Sequence, residues 1–215
     1  MKAILLDLDG TLLDEAGAHR EAFAALVDVH RARFEHAAED DLFASWCEIS
    51  WRHWRRYESG EVSFDEHRRS RARDFLGDSL TDDQADEAFE PYVRAYEAGW
   101  RLFPEVSEFL SRTAAAPKVI VTNGDRAQQL RKLSATGLSS HMSAVLTPDD
   151  CGCWKPSPEI FLMAAQAIGV DPRGCIMIGD NEEKDIVPAR RLGMKSFHVV
   201  AGDPERTLLK ALEAF

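Results

Sequence analysis

Apolar residues fall along this chain in two patterns. Short apolar runs stand at both ends: AILLDL (3–8), KVIVT (118–122), SAVLT (143–147), CIMIG (175–179) and SFHVV (196–200). Most are bounded by Gly, Pro, Asp or Asn, as strands buried on both faces are. Between the later runs lie helical patterns: PEVSEFLSRTAA (104–115), DRAQQLRKLSATG (125–137), SPEIFLMAAQAIG (157–169) and EEKDIVPARRLG (182–193). Gly169 and Gly193, at the ends of the last two, suit a C-terminal cap. This alternation predicts an α/β domain with a Rossmann-like parallel sheet of about five strands and right-handed crossovers.

The middle of the chain lacks strand-like runs. HREAFAALVDVHRARFEH (19–36), EDDLFASWCEISWRHWRRY (39–57), SFDEHRRSRARDFLG (63–77) and TDDQADEAFEPYVRAYEAGW (81–100) read as amphipathic helices. Ser63 and Thr81 stand where N-terminal caps belong, and ESGE separates the second helix from the third. The expected organisation is a sheet domain of residues 1–15 and 99–215, interrupted by an all-helical domain of residues 16–98. No internal repeat or low-complexity tract is visible.

Composition narrows the partners. The 215 residues carry a formal net charge of -11, which disfavours a polyanion such as nucleic acid. A small anionic substrate remains compatible, because a local cation can reverse the field. No run of about 18 apolar residues suggests a membrane span. The apolar run at the start meets Asp7 too soon for a signal-peptide core, so a cytoplasmic protein is expected. Cys47, Cys151, Cys153 and Cys175 are then expected to be plain thiols. The CGC at 151–153 has neither CxxC spacing nor a second pair to complete a zinc site.

The unusual polar residues follow the apolar runs. Ligands of open α/β sheets bind at the carboxyl ends of the strands. There the chain places Asp7 and Asp9, then TNGD (122–125), the lysine of CWKPSP (153–158) and GDNEEKD (179–185). Residues i and i+2 of an extended chain point the same way, so Asp7 and Asp9 can face one volume, with Gly10 allowing a tight turn. Asp180 and Asp185 can join them. Carboxylates gathered so closely demand a cation, and oxygen-only ligation together with a substrate phosphate suits Mg²⁺. Thr122 offers a hydroxyl, and the N–H groups of Asn123 and Gly124 lie near a helix start, where phosphate binds. Lys155 supplies a positive charge just before a helix expected to carry Pro156 in its first turn.

In this order the motifs resemble the haloacid dehalogenase superfamily, most of whose members are Mg²⁺-dependent phosphatases. DLDGTLLD (7–14), VTNGD (121–125), Lys155 and GDNEEKD (179–185) are similar to its four motifs, and the helical segment sits where its helical cap sits. The resemblance implies that Asp7 is the nucleophile and forms an aspartyl-phosphate. It implies that Asp9 protonates the leaving oxygen and then activates water. Thr122 and Lys155 would hold the phosphoryl oxygens. Mg²⁺ would be held by Asp7, the backbone carbonyl of Asp9 and Asp180, with Asp185 supporting them through water or Lys155.

Asn181 and Lys184 depart from the residues common at their positions in the fourth motif. The second acid, Asp9, favours phosphoryl transfer over carbon–halogen cleavage, because the dehalogenases lack it. In the helical domain, which by resemblance excludes water and carries specificity, Arg71 falls at the position of an arginine common in caps of nucleotide and sugar-phosphate phosphatases. Trp46, Trp51 and Trp54 lie near one helix face and read as core, with a stacking surface for a nucleobase or sugar as the alternative. His19 and Arg20 could reach a leaving group or face solvent. The expected function is hydrolysis of a small phosphorylated metabolite of sugar phosphate, nucleoside monophosphate or phosphoglycolate type. The alternatives are a phosphomutase, a phospho-aspartate switch like a receiver domain, or a silent binding protein on the same fold.

Overall fold

The computed structural model describes residues 2–77, 79–204 and 207–214. The chain divides into two compact units, Ala16–Gly99 and Met1–Glu15 with Trp100–Phe215. Among the described residues, no helix is long and apolar enough to cross a membrane.

The helical unit is built from α1 (Glu15–Val29), α2 (Glu39–Glu58), α3 (Phe64–Leu76) and α4 (Asp82–Ala98). Ser63 caps α3 by accepting from the Glu66 N–H, and Thr81 and Gln84 form a reciprocal capping box on α4. The first helix ends sooner than its apolar pattern suggests. His30 contacts the Ala88 carbonyl at 3.2 Å, and Arg31–Arg33 form a separate 3₁₀ turn.

Aromatic rings fill the interior of this unit. Trp46 lies 5.1 Å from Phe75, 5.0 Å from Tyr92 and 5.9 Å from Phe89, centroid to centroid. The expected single tryptophan face is not observed: Trp46 is 2% exposed and Trp51 is 56% exposed. Five residues at 100° each leave the two about 140° apart around the helix, so both cannot face the core.

The second unit carries five parallel strands: β1 (Ala3–Leu6), β2 (Lys118–Val121), β3 (Ala144–Leu146), β4 (Cys175–Gly179) and β5 (Lys195–His198). Their order is β3-β2-β1-β4-β5. The helices of this unit are α5 (Val106–Arg112), α6 (Arg126–Ala135), α7 (Pro148–Cys151), α8 (Pro158–Ala167) and α9 (Val187–Arg191).

Strand alternation explains the two-sided core. Ile4, Leu6, Ile120, Ile176 and Ile178 pack with Val106 and Phe109 of α5 and Leu133 of α6. Ala3, Leu5, Val119, Val121 and Met177 pack with Ile160, Phe161 and Ala164 of α8 and Ala189 of α9. Both faces are thus covered, and the polar groups are left to the strand ends.

The strands stop before the apolar runs do. After Leu6 the chain curls: the Leu8 carbonyl accepts from the N–H groups of Thr11, Leu12 and Leu13 at 3.3, 2.9 and 3.0 Å. Gly10, at φ +79°, permits this turn. The fourth helical pattern also divides. Glu182–Ile186 form a π-helical turn before α9, and Pro188, which has no N–H to give, stands at the first turn of α9.

Candidate active site

The central strand β1 has β2 on one side and β4 on the other: strands are added outward through β2 and β3, then on the opposite side through β4 and β5, so the direction of winding reverses beside β1. A crevice opens at the carboxyl end of such a strand. Asp7 is the first residue there, anchored by its N–H to the Ile178 carbonyl at 2.9 Å. Thr122 follows β2 and Asp180 follows β4.

Asp7, Lys155 and Asp185 form a buried chain of charge. Lys155 Nζ donates to Asp7 Oδ1 at 2.7 Å and to Asp185 Oδ1 at 2.6 Å. All three residues are buried, Asp185 completely. The second Asp185 oxygen accepts from the Asn181 N–H at 3.1 Å. Asn181 in turn accepts from the N–H groups of Glu183 and Lys184 at 3.1 and 2.9 Å. The departure from the family pattern at Asn181 therefore has a local use, capping the π-turn that presents Asp185.

Asp180 stands at the exposed edge of the cluster. Oxygens of Asp7, Asp180 and Asp185 lie within 4.8 Å of one another. A Cβ at position 10 would come within 2.4 Å of Asp180 Oδ2, so only glycine leaves that carboxylate its place. Burial, opposed by Lys155 and reinforced by Asp185 and Asp180, pushes the Asp7 carboxyl well above the usual range. Asp180 is raised by loss of solvent and by Asp185. For Lys155, burial alone favours the neutral amine, but Asp185 and Asp7 outweigh it and hold the ammonium above its ordinary value. Three carboxylates against one ammonium leave net negative charge, a donor set of hard oxygens that fits a divalent cation such as Mg²⁺.

Asp9 points elsewhere. Its carboxylate lies outside the three-carboxylate group and is held by α6: Lys132 Nζ donates to Oδ1 at 2.6 Å and Gln129 Nε2 to Oδ2 at 2.7 Å. Burial and the charge of Glu15 raise the Asp9 carboxyl, against Lys132 and Gln129. Gln129 Nε2 also lies 2.9 Å from Thr122 Oγ1. That oxygen accepts a second bond from the Gly124 N–H at 3.1 Å.

The TNG segment differs from expectation in one respect. α6 begins at Arg126 with Asp125 as its cap, so Asn123 and Gly124 precede the helix. The Asn123 side chain instead straps Lys155 in place: Nδ2 donates to the Lys155 carbonyl at 2.9 Å, and Oδ1 accepts from the Lys155 N–H at 2.7 Å. Likewise α8 starts with Pro158 at its first turn, not Pro156.

Residues singled out in the helical unit find partners within it. Arg71 is buried; it donates to Ser50 Oγ at 3.2 Å and Tyr92 Oη at 3.1 Å, and lies over the Trp46 ring at 4.5 Å. His19 bonds Tyr92 and stacks on Tyr96 at 4.5 Å, while Arg20 covers Phe43 at 4.4 Å. The cysteines are free thiols.

Sequence reasoning missed Gln129 and Lys132. Helical periodicity pairs Leu130 with Leu133 as the buried stripe of α6. The structure buries Gln129, Lys132 and Leu133 and leaves Leu130 42% exposed. Two polar residues at i and i+3, one turn after a strand-end motif, were the available signal.

The chain is similar to known proteins over most of its length. A phosphoserine phosphatase from Thermus thermophilus is 32% identical, covering 95% of this chain and 92% of its own. The human N-acylneuraminate-9-phosphatase is 24% identical, covering 91% of this chain and 81% of its own. The fold matches a HAD-hydrolase from Bacillus subtilis crystallised with magnesium, at a TM-score of 0.75 and 24% identity, over 92% of this chain and 88% of that one. A haloacid dehalogenase-like hydrolase model matches residues 1–193. With both its strand-end motifs and most of its length accounted for, the chain belongs to the haloacid dehalogenase-like hydrolase family.

Proposed function

We propose that this enzyme is a Mg²⁺-dependent phosphatase that hydrolyses a small phosphomonoester through an aspartyl-phosphate on Asp7. The observation that carries the reading is the placement of Asp7. It sits at the crevice of the sheet, bonded to Lys155 at 2.7 Å and close to Asp180 and Asp185. Similarity to phosphatases that act on phosphoserine and N-acylneuraminate 9-phosphate supports a phosphorylated metabolite as substrate.

In the first step an Asp7 oxygen attacks phosphorus and the bond to the substrate alcohol breaks. Asp9 gives the departing oxygen its proton. In the second, water attacks the phosphorus, Asp9 takes its proton, and the bond to Asp7 breaks to regenerate the carboxylate. Thr122 contributes a directed donor. Its oxygen already accepts from Gln129 and Gly124, so its own hydrogen is available to a phosphoryl oxygen. Lys155 offers a fixed ammonium that offsets the gathering charge.

Asp7, Asp180 and the Asp9 carbonyl would hold Mg²⁺, which when bound neutralises the phosphoryl oxygens and the carboxylates together. Asp185 steadies the cluster through Lys155. In this reading Asn123 acts through Lys155, and Gly124 acts by fixing Thr122. Arg71 remains the candidate in the helical domain for recognising the substrate.

The test is phosphate release from O-phosphoserine, phosphoglycolate, sugar phosphates and nucleoside monophosphates, in Mg²⁺ and in EDTA. Wild type should turn over at least one of them only with metal, and Asp7→Asn should lose at least about 10³-fold. Release that persists in EDTA, or survives in Asp7→Asn, would reject the mechanism.

A further inference from the structure

The first clue is a cost. Lys132 is 1% exposed and Gln129 is completely buried, on the inward face of a helix where Leu133 shows that an apolar residue fits. Burying an ammonium and the N–H groups of an amide there is expensive unless each donor is paired. The partners are specific: the two donors take one oxygen each of Asp9, at 2.6 and 2.7 Å. Glu15 is a further carboxylate beside this ammonium, 3.8 Å from Lys132 Nζ.

The amide orientation follows from Asp9. Reversed, the carbonyl of Gln129 would oppose a carboxylate oxygen; as placed, its two N–H hydrogens serve Asp9 and Thr122. The neighbouring backbone makes room for it. A Cβ at position 124 would lie 1.8 Å from Gln129 Nε2, so glycine at that position is required by the amide.

We propose that Gln129 and Lys132 are positioning residues that fix the Asp9 carboxylate in one orientation for its proton transfers and tie it to the phosphate-binding hydroxyl of Thr122. This rests on the phosphatase reading above. Proton transfer needs heavy atoms within about 2.6–3.2 Å. A carboxylate on a loop rotates about two torsions, and two donors on its two oxygens remove that freedom. In the first step the clamp matters where the leaving oxygen needs a proton. The natural substrate is therefore the ester of an aliphatic alcohol, whose alkoxide is a poor leaving group. An acyl phosphate or aryl phosphate would not call for such a device in that step.

The test compares kcat/KM, which reports steps through departure of the alcohol, on two Mg²⁺-supported substrates. One is p-nitrophenyl phosphate, whose phenolate leaves unaided. The other is the alkyl phosphomonoester that wild type prefers within the panel above. Gln129→Leu and Lys132→Met should lose about 10²-fold on the alkyl ester and less than about tenfold on the aryl ester. Lys132→Arg, which keeps a cation, should recover most of the alkyl activity. Folding is checked by circular dichroism; if Lys132→Met does not fold, Gln129→Leu and Lys132→Arg carry the comparison. Equal losses on both substrates, or no loss in either variant, would overturn the proposal. If wild type turns over neither substrate with metal, the phosphatase reading fails first and the inference with it. If wild type is active and Asp9→Asn discriminates between the substrates but the clamp variants do not, only the inference fails.

Discussion

Lys155 Nζ lies 2.7 Å from Asp7 Oδ1, across 148 residues of sequence. The contact is buried, and the same ammonium reaches Asp185 at 2.6 Å. It is the tertiary bond that makes a set of strand-end polar residues into one electrostatic unit.

Breaking this unit from one side leaves charge buried without a partner. Lys155→Met should destabilise the protein by about 3–5 kcal/mol in urea unfolding with EDTA present. Adding Asp185→Asn should cost less than its own single effect, giving a coupling of about 1–3 kcal/mol. Strict additivity of the two changes would show that the pair is not energetically linked.

Mg²⁺ should raise the melting temperature, because only the folded chain gathers the carboxylates. At 100 times the dissociation constant the expected stabilisation is about 2.7 kcal/mol. Asp180→Asn should abolish the rise. Asp9→Asn should keep it, since the proposed ligand there is the backbone carbonyl. A rise that Asp180→Asn leaves intact would place the ion elsewhere.

Asn123→Ala removes both bonds to the Lys155 backbone and leaves a buried N–H and carbonyl without them. A loss of about 2–3 kcal/mol in stability is expected. With Lys155 less well held, kcat should fall about tenfold or more. Unchanged kcat in a destabilised variant would mean that the strap serves folding alone.

His67 gives a pH dependence of known sign. It is buried against Trp54, Tyr57 and Phe64, and burial, then the nearby Arg71, push its imidazolium down to about 3. The unfolded chain binds this proton below about pH 6.5 while the folded chain does not. Stability from this group is therefore intact above that pH and falls as pH drops toward 3. At pH 5 the loss is about 2 kcal/mol. His67→Phe should lose less between pH 7 and pH 5 than wild type does, by urea midpoint. The same loss in both would assign the effect to other groups.

The sequence by itself determined what depends on local pattern. Five apolar runs became five parallel strands because side chains buried on both faces need no alternation. The meeting of Asp7, Lys155, Asp180 and Asp185 was legible because the ends of the strands are where an α/β sheet lets polar groups converge. Tertiary structure decided the rest. Asp7 and Asp9, two residues apart, were expected to face one volume. The turn after Leu6 instead sends Asp7 to Lys155 and Asp9 to α6. Lys132 reads as a solvated charge on a helix surface, and its counter-charge lies 123 residues away in sequence. Periodicity sorts residues by polarity, so it assigns a buried ion pair to solvent. Only the fold, by bringing the opposite charge within 2.6 Å, makes that burial affordable in free energy.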